Sequence, residues 1–169
     1  MEGRLIVSNG PADRFAATAW YEGAMNIWYS TGYSTREEAE AAATYGPLSV
    51  WLFEPNAALL KAGAFRQVAQ HYGLTKLHPN THLYTAAEDR PDFPGRRFRV
   101  LGETTAQKKA LKKLLPEPAA MVGTRNFPMG APQLRAKLGL KEGGTHYVMG
   151  FTNHEDQKRL AILEPVLGE

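Results

Sequence analysis

Lys108, Lys109, Lys112 and Lys113 form two pairs four residues apart in the run TAQKKALKKLL, residues 105–115. On a helix such pairs stack, so all four ammonium groups share one face, opposite an apolar stripe of Ala106, Ala110, Leu111, Leu114 and Leu115. Like charges at this spacing repel by a few tenths of a kcal/mol per pair. No acidic residue in the run relieves that repulsion. A phosphate backbone would relieve it, with counterion release supplying affinity. A solubilising lysine face is the other reading. Arg96, Arg97 and Arg99 precede the run. In an extended strand Arg97 and Arg99 share one face and Arg96 takes the other. Arg125, Arg135, Lys137 and Lys141 add positive charge downstream. Together these eleven residues form a candidate set for binding a phosphate polyanion.

Other chemistry is sparse. The sequence has no G-x-G-x-x-G, no P-loop and no G-x-S-x-G elbow. It shows no acidic, glycine-rich strand–turn–helix of the kind that holds S-adenosylmethionine, and no Asp/Asn-Pro-Pro-aromatic tetrapeptide. Glu54-Pro55-Asn56 reads as a strand exit and a helix cap. His78 and His82 are four apart with Pro79 between them. On extended backbone that spacing separates the side chains by about 13 Å, at ~3.3 Å per residue, which argues against a shared metal. His146 falls in an expected strand and His154 in a turn, with no evident partners. Tyr84, Phe98, Phe127 and Tyr147 could stack on bases, but each sits in an apolar pattern that suits a core. No catalytic and no metal-binding residues are assigned.

The charge is unevenly distributed along the 169 residues. Residues 1–55 carry three basic against seven acidic groups; residues 95–141 carry eleven against two, Glu103 and Glu117. Such asymmetry suggests a polyanionic partner. There is no cysteine, so no disulfide framework and no Cys-based zinc site is possible. That absence, with no apolar run of membrane-spanning length and no signal-peptide core at the N-terminus, leads us to expect a cytoplasmic protein away from the membrane.

The elements that must carry these residues read as α+β: small mixed sheets with helices packed on one side. Residues 4–8 suggest a strand and 15–30 one or two more, about Glu22-Gly23. Ser34 with Glu37, or Thr35 with Glu38, fits a capping box for a helix reaching residue 44 and ending at Gly46-Pro47. Residues 48–53 form an apolar run of strand length. Asn56 caps a helix predicted to continue to Tyr72, where Gly73 stops it. Strands are expected over 80–85 and 95–101. Thr104 or Thr105 should cap the lysine helix, which Pro116 ends. A strand over 119–125, a short helix with Pro132 in its first turn, and a hairpin of 145–152 with 159–163 complete the reading.

Several stretches resemble a known bacterial family. They are WLFEPNAALLKAGAF from Trp51 to Phe65, HPNTHLYT from His78 to Thr85, and FPGRRF from Phe93 to Phe98. TRNFP from Thr124 to Pro128, LRAKL from Leu134 to Leu138, and KEGG from Lys141 to Gly144 continue it. Its members are class I S-adenosylmethionine-dependent methyltransferases assigned to RNA, in which a ferredoxin-like domain and a THUMP-like domain follow the catalytic domain. The resemblance implies a ferredoxin-like domain over 48–100 and a THUMP-like domain over 101–169. It leaves 1–47 as the remnant of a methyltransferase domain or the start of the ferredoxin-like one. It implies an ancillary, substrate-positioning role on RNA, tRNA modification included, with S-adenosylmethionine bound by a methyltransferase domain in cis or in trans and no cofactor in this chain. The competing reading is a protein-interaction module that docks a separate catalytic partner. A small enzyme built on Glu54, Lys61 and His82 is a third.

Overall fold

A computed structural model of the chain describes residues 3–9, 14–21 and 28–166, with side chains from residue 38 onward. Three N-terminal strands, β1 (Gly3–Asn9), β2 (Arg14–Tyr21) and β3 (Trp28–Ser34), pair antiparallel in the order β1-β2-β3. Helix α1 (Thr35–Glu40) follows. The remaining elements are β4 (Thr44–Tyr45), β5 (Trp51–Pro55), α2 (Ala57–Ala62), α3 (Phe65–Tyr72), β6 (Thr75–His78), β7 (Thr81–Ala86), β8 (Gly95–Thr105), α4 (Lys108–Leu111), β9 (Met121–Arg125), α5 (Ala131–Leu138), β10 (Tyr147–Thr152) and β11 (Lys158–Pro165). Their strands form one eight-stranded mixed sheet ordered β4-β6-β7-β5-β8-β11-β10-β9. The ladders are antiparallel except β4–β6 and β9–β10.

Alternation along the strands sorts the core into three clusters. Leu52, Leu83, Phe98, Met149, Phe151, Ala161 and Leu163 point to one face and pack together. On the opposite face Phe53 and Tyr84 pack under α2 and α3. Val148, Leu160 and Ile162, also on that face, pack under α4 and α5. The helices therefore cover the outer face in two groups, while the inner face closes on itself. β7 and β9 are far apart in strand order, yet the Thr81 hydroxyl donates to the Thr152 carbonyl at 2.7 Å and Asn126 Nδ2 donates to Thr81 Oγ1 at 3.1 Å. The sheet curls until its two halves meet at these contacts.

Several boundaries differ from the sequence reading, each for a tertiary reason. Helix α1 stops at Glu40 because Thr44 and Tyr45 are drawn into the sheet beside Thr75 and Lys76. β6, not expected, supplies that edge. The run 48–53 is a strand only from Trp51; Ser49 N donates instead to Thr85 Oγ1 at 2.8 Å. Asn56 caps as expected, its Oδ1 accepting from Leu59 N at 3.0 Å. The long helix is broken at Gly63, whose φ of 67° ends α2 in the left-handed region. Gly73 ends α3 as anticipated. Thr104 and Thr105 do not cap a helix. They extend β8 along β11, opposite Leu160 and Arg159, and the lysine helix shrinks to the four residues of α4 behind Gln107. His78 and His82 do not share a strand, because Pro79 and Asn80 turn the chain between β6 and β7.

The Glu38 side chain, a candidate for closing a capping box on its own helix, serves α3. Its Oε1 accepts from Arg66 N at 2.7 Å and its Oε2 from Gln67 N at 2.9 Å. The N-cap of α3, Ala64, supplies no side-chain bond. The carboxylate satisfies two orphan amides and meets the positive end of the helix. Glu38→Ala should destabilise the protein by about 1 kcal/mol, the usual cost of a lost N-cap. Urea unfolding checks this by a lower midpoint at an unchanged m-value.

Candidate functional site

Strand alternation puts Leu52 and Glu54 on the inner face of β5, so the Glu54 carboxylate enters the core at the end of the curled sheet. It is 2% exposed. A buried charge of this kind is tolerated only when paired. Arg96, its register partner on β8, donates from Nε to Oε2 at 2.7 Å, and its Nη2 lies 2.5 Å from the same oxygen in an ion pair. Arg125, at the end of β9, donates from Nη2 to Oε1 at 2.5 Å and from Nη1 to the Thr124 carbonyl at 2.9 Å. The Arg96 guanidinium also lies 5.0 Å from the Tyr147 ring centroid and 5.5 Å from that of Phe98, a cation–π arrangement. Burial alone would lower the Arg96 pKa. The Glu54 carboxylate and the Tyr147 hydroxyl outweigh burial and hold it above its ordinary value. Tyr147 fits because Gly123 lies beneath it: a β-carbon there would sit 2.5 Å from the tyrosine oxygen.

The clasp opens onto a cavity of about 540 Å³ between the β5–α2 turn and the Phe93-Pro94-Gly95 segment. The arginine side chains remain 55% and 37% exposed. Arg125 Nε is buried without a hydrogen-bond partner.

A second polar cluster lies under α3. Lys76 is buried, its Nζ donating to the Pro79 carbonyl at 2.9 Å and to His82 Nδ1 at 3.1 Å, with the Phe65 ring 5.4 Å away. The His82 ring stacks on Phe65 at 3.5 Å between centroids. Burial pulls the Lys76 pKa down to about 8. Burial, then the charges of Lys76 and Arg125, lower that of His82 to about 4. His78 faces the other half of the sheet. Its Nε2 donates to Asp156 Oδ1 at 2.8 Å and its Nδ1 accepts from Asn80 N at 2.9 Å. Among the described residues no group of three or more His, Cys, Asp or Glu is placed to hold a metal. No helix among them is long and apolar enough to cross a membrane.

The eleven basic residues do not form one surface. Arg96 and Arg125 hold Glu54. Arg97 is paired with Asp89, on the outer face, where the exposed Arg99 also points. The remaining seven gather around α4 and α5. Lys108, Lys109, Lys112 and Lys113 are all exposed despite the shortened helix. Lys108 lies against Gly139 at the C-terminal end of α5, where a cation is favourable. The backbone of Lys141 bonds to Pro118 and Ala120 and ties the two helices together. Arg135 pairs with Glu142 at 3.3 Å. Lys137 and Lys141 are exposed. Neither nearby acid neutralises the lysines. Glu103 holds Arg159 at 2.7 Å. Glu117 is bonded by His146 Nδ1 at 2.7 Å and by the Thr145 amide and hydroxyl, both at 2.9 Å, which together lower its pKa to about 2.

Sequence reasoning missed the roles of Glu54, Lys76, Tyr147 and Asn126. For Glu54 a signal was present: one acid in a continuous apolar strand must find a cation. Lys61, grouped with Glu54 and His82 as a possible catalytic set, is exposed on the last turn of α2 and is bonded to neither.

Residues 51–94 match the family model of a ferredoxin-like domain, and residues 95–165 that of a THUMP domain-like unit. The chain therefore carries a ferredoxin-like domain followed by a THUMP-like one. It is similar to a crystal structure described as a "putative methyltransferase" from Porphyromonas gingivalis W83, with 34% sequence identity and a TM-score of 0.78. That likeness covers 85% of this chain and 36% of the other, so the chain spans about a third of the length of that relative. No curated protein is significantly similar to the chain. β5 enters α2 through Glu54-Pro55-Asn56 and β9 enters α5 through Asn126-Phe127-Pro128-Met129-Gly130, neither of which is a glycine-rich cradle.

Two measurements test this geometry. Glu54→Ala should cost about 1.5–3 kcal/mol in chemical denaturation, since it removes charge-assisted hydrogen bonds from two guanidinium groups that are partly exposed and can regain water. The Lys76 cluster sets a pH dependence. The folded pKa lies below the ordinary 10.5, so between about pH 8 and 10.5 the unfolded chain binds a proton that the folded one lacks. Stability should therefore rise with pH across that window, by about 3 kcal/mol at most. Lys76→Met should flatten the rise.

Proposed function

We propose that this chain is the RNA-binding, substrate-positioning region of an RNA methyltransferase, with the methyl donor held by a different domain or subunit. The observation that carries the reading is the lysine surface on α4 and α5, in the THUMP-like half. Its exposed ammonium groups lack acidic partners because Glu103 and Glu117 are committed to Arg159 and His146. Lys108, Lys109, Lys112, Lys113, Lys137 and Lys141 present charge to a phosphate backbone without a base-reading groove, so binding follows shape and charge rather than sequence. The association of THUMP domains with RNA, often tRNA, supports the RNA part of this reading, and the description of the structural relative supports the link to a methyltransferase. In this reading S-adenosylmethionine is a cofactor of the partner domain. The chain contributes by holding the RNA so that a target base reaches that domain.

Six lysine–phosphate contacts predict a slope of log affinity against log salt of about −4 to −5, at 0.7 to 0.9 per contact. The variant K108E/K109E/K112E/K113E should lose tRNA binding in a filter or fluorescence assay while its melting temperature stays within a few degrees of wild type. A wild-type protein that fails to bind tRNA even at low salt would overturn the reading and favour a protein-docking role.

A further inference from the structure

We infer that the cavity beside the Glu54 clasp is a binding site for a phosphorylated nucleotide, with Arg96 and Arg125 taking the phosphate. Two arginines share one carboxylate, so the site keeps a net positive charge after internal pairing. Their guanidinium planes are fixed by Glu54, by the Tyr147 hydroxyl at 3.3 Å from Arg96, and by the Thr124 carbonyl on Arg125. A fixed planar donor fork suits a phosphate better than a mobile ammonium does, because little side-chain freedom is lost on binding. Both side chains stay partly exposed at the cavity wall.

The rest of the cavity suits the remainder of a nucleotide. Pro55, Leu60, Phe93 and Pro94 supply an apolar wall opposite the arginines. The volume of about 540 Å³ lies within the range of ordinary ligand pockets. The site is built by β5, β8 and β9, and so by both domains. It is separate from the lysine surface, whose residues do not line it. The nucleotide is either the phosphorylated end of an RNA strand or a free mononucleotide. Only the first source rests on the RNA reading above.

Isothermal titration with AMP and with adenosine tests the site directly. AMP should bind about tenfold or more tightly than adenosine, the size expected of charge-assisted hydrogen bonds to the phosphate. Ala57→Trp, which fills the cavity from the exposed start of α2 without touching the ion pairs, should abolish AMP binding. R96K/R125K, which keeps both charges but loses the forks, should weaken it about tenfold. K108E/K109E/K112E/K113E should leave it unchanged. A short RNA with a terminal phosphate that outcompetes its dephosphorylated form assigns the strand end as ligand. AMP binding without that difference assigns the free nucleotide. Equal affinity for AMP and adenosine, no binding of either, or AMP binding unaffected by Ala57→Trp would overturn the proposal. Failure of the wild-type protein to bind tRNA at low salt, with AMP binding intact, would count against the RNA reading alone.

Discussion

A carboxylate in the interior of a sheet must be met by cations, and Glu54 is met by two. Arg96 comes from 42 residues away and Arg125 from 71. Because Arg125 lies at the far end of the strand order, satisfying Glu54 requires the sheet to curl. The curl brings Thr81 to Thr152, His78 to Asp156 and Asn126 to both His78 and Thr81. One desolvated charge thereby couples the ferredoxin-like and THUMP-like halves, which are also joined by the pairing of β5 with β8. Two non-glycine residues in the left-handed region, Asn126 and Asp156, lie at this junction and both touch His78. Strain concentrated at one place is a common mark of a region held for function.

The same arrangement divides the positive charge by kind. The paired arginines at the clasp are rigid and partly desolvated, which suits geometric recognition of one anionic group. The lysines on α4 and α5 are mobile and solvated, which suits a diffuse phosphate backbone at a salt-dependent cost. A region that steers an RNA and then registers it would need both. The two kinds occur at separate positions of the fold.

Local features were legible in the sequence wherever one residue's chemistry decided the outcome. The Asn56 cap, the Gly73 stop, Pro132 in the first turn of α5 and the closing hairpin all appear where their residue types place them. The resemblance carried by Trp51–Phe65 and Thr124–Pro128 agrees with the domain matches. Errors fell where a distant partner overrode a local preference. Residues 105–115 have a helical pattern, but β11 offered a longer ladder to Thr104 and Thr105. Residues 57–72 have one apolar face, but Gly63 bends the chain so that α3 can take its cap from Glu38.

Sequence alone therefore determined the α+β class, the order of the two domains and the concentration of positive charge between Gly95 and Lys141. The class and the charge follow from periodicity and composition, which are local, and the domain order is what the family resemblance implied. Tertiary structure decided which of those charges are free. Arg96, Arg97, Arg125 and Arg135 are indistinguishable from the lysines by charge in the sequence, yet each is bonded to a carboxylate that only the folded chain brings near. The interaction energy of a charge depends on its distance from other charges and on the water between them, and the folded arrangement sets both.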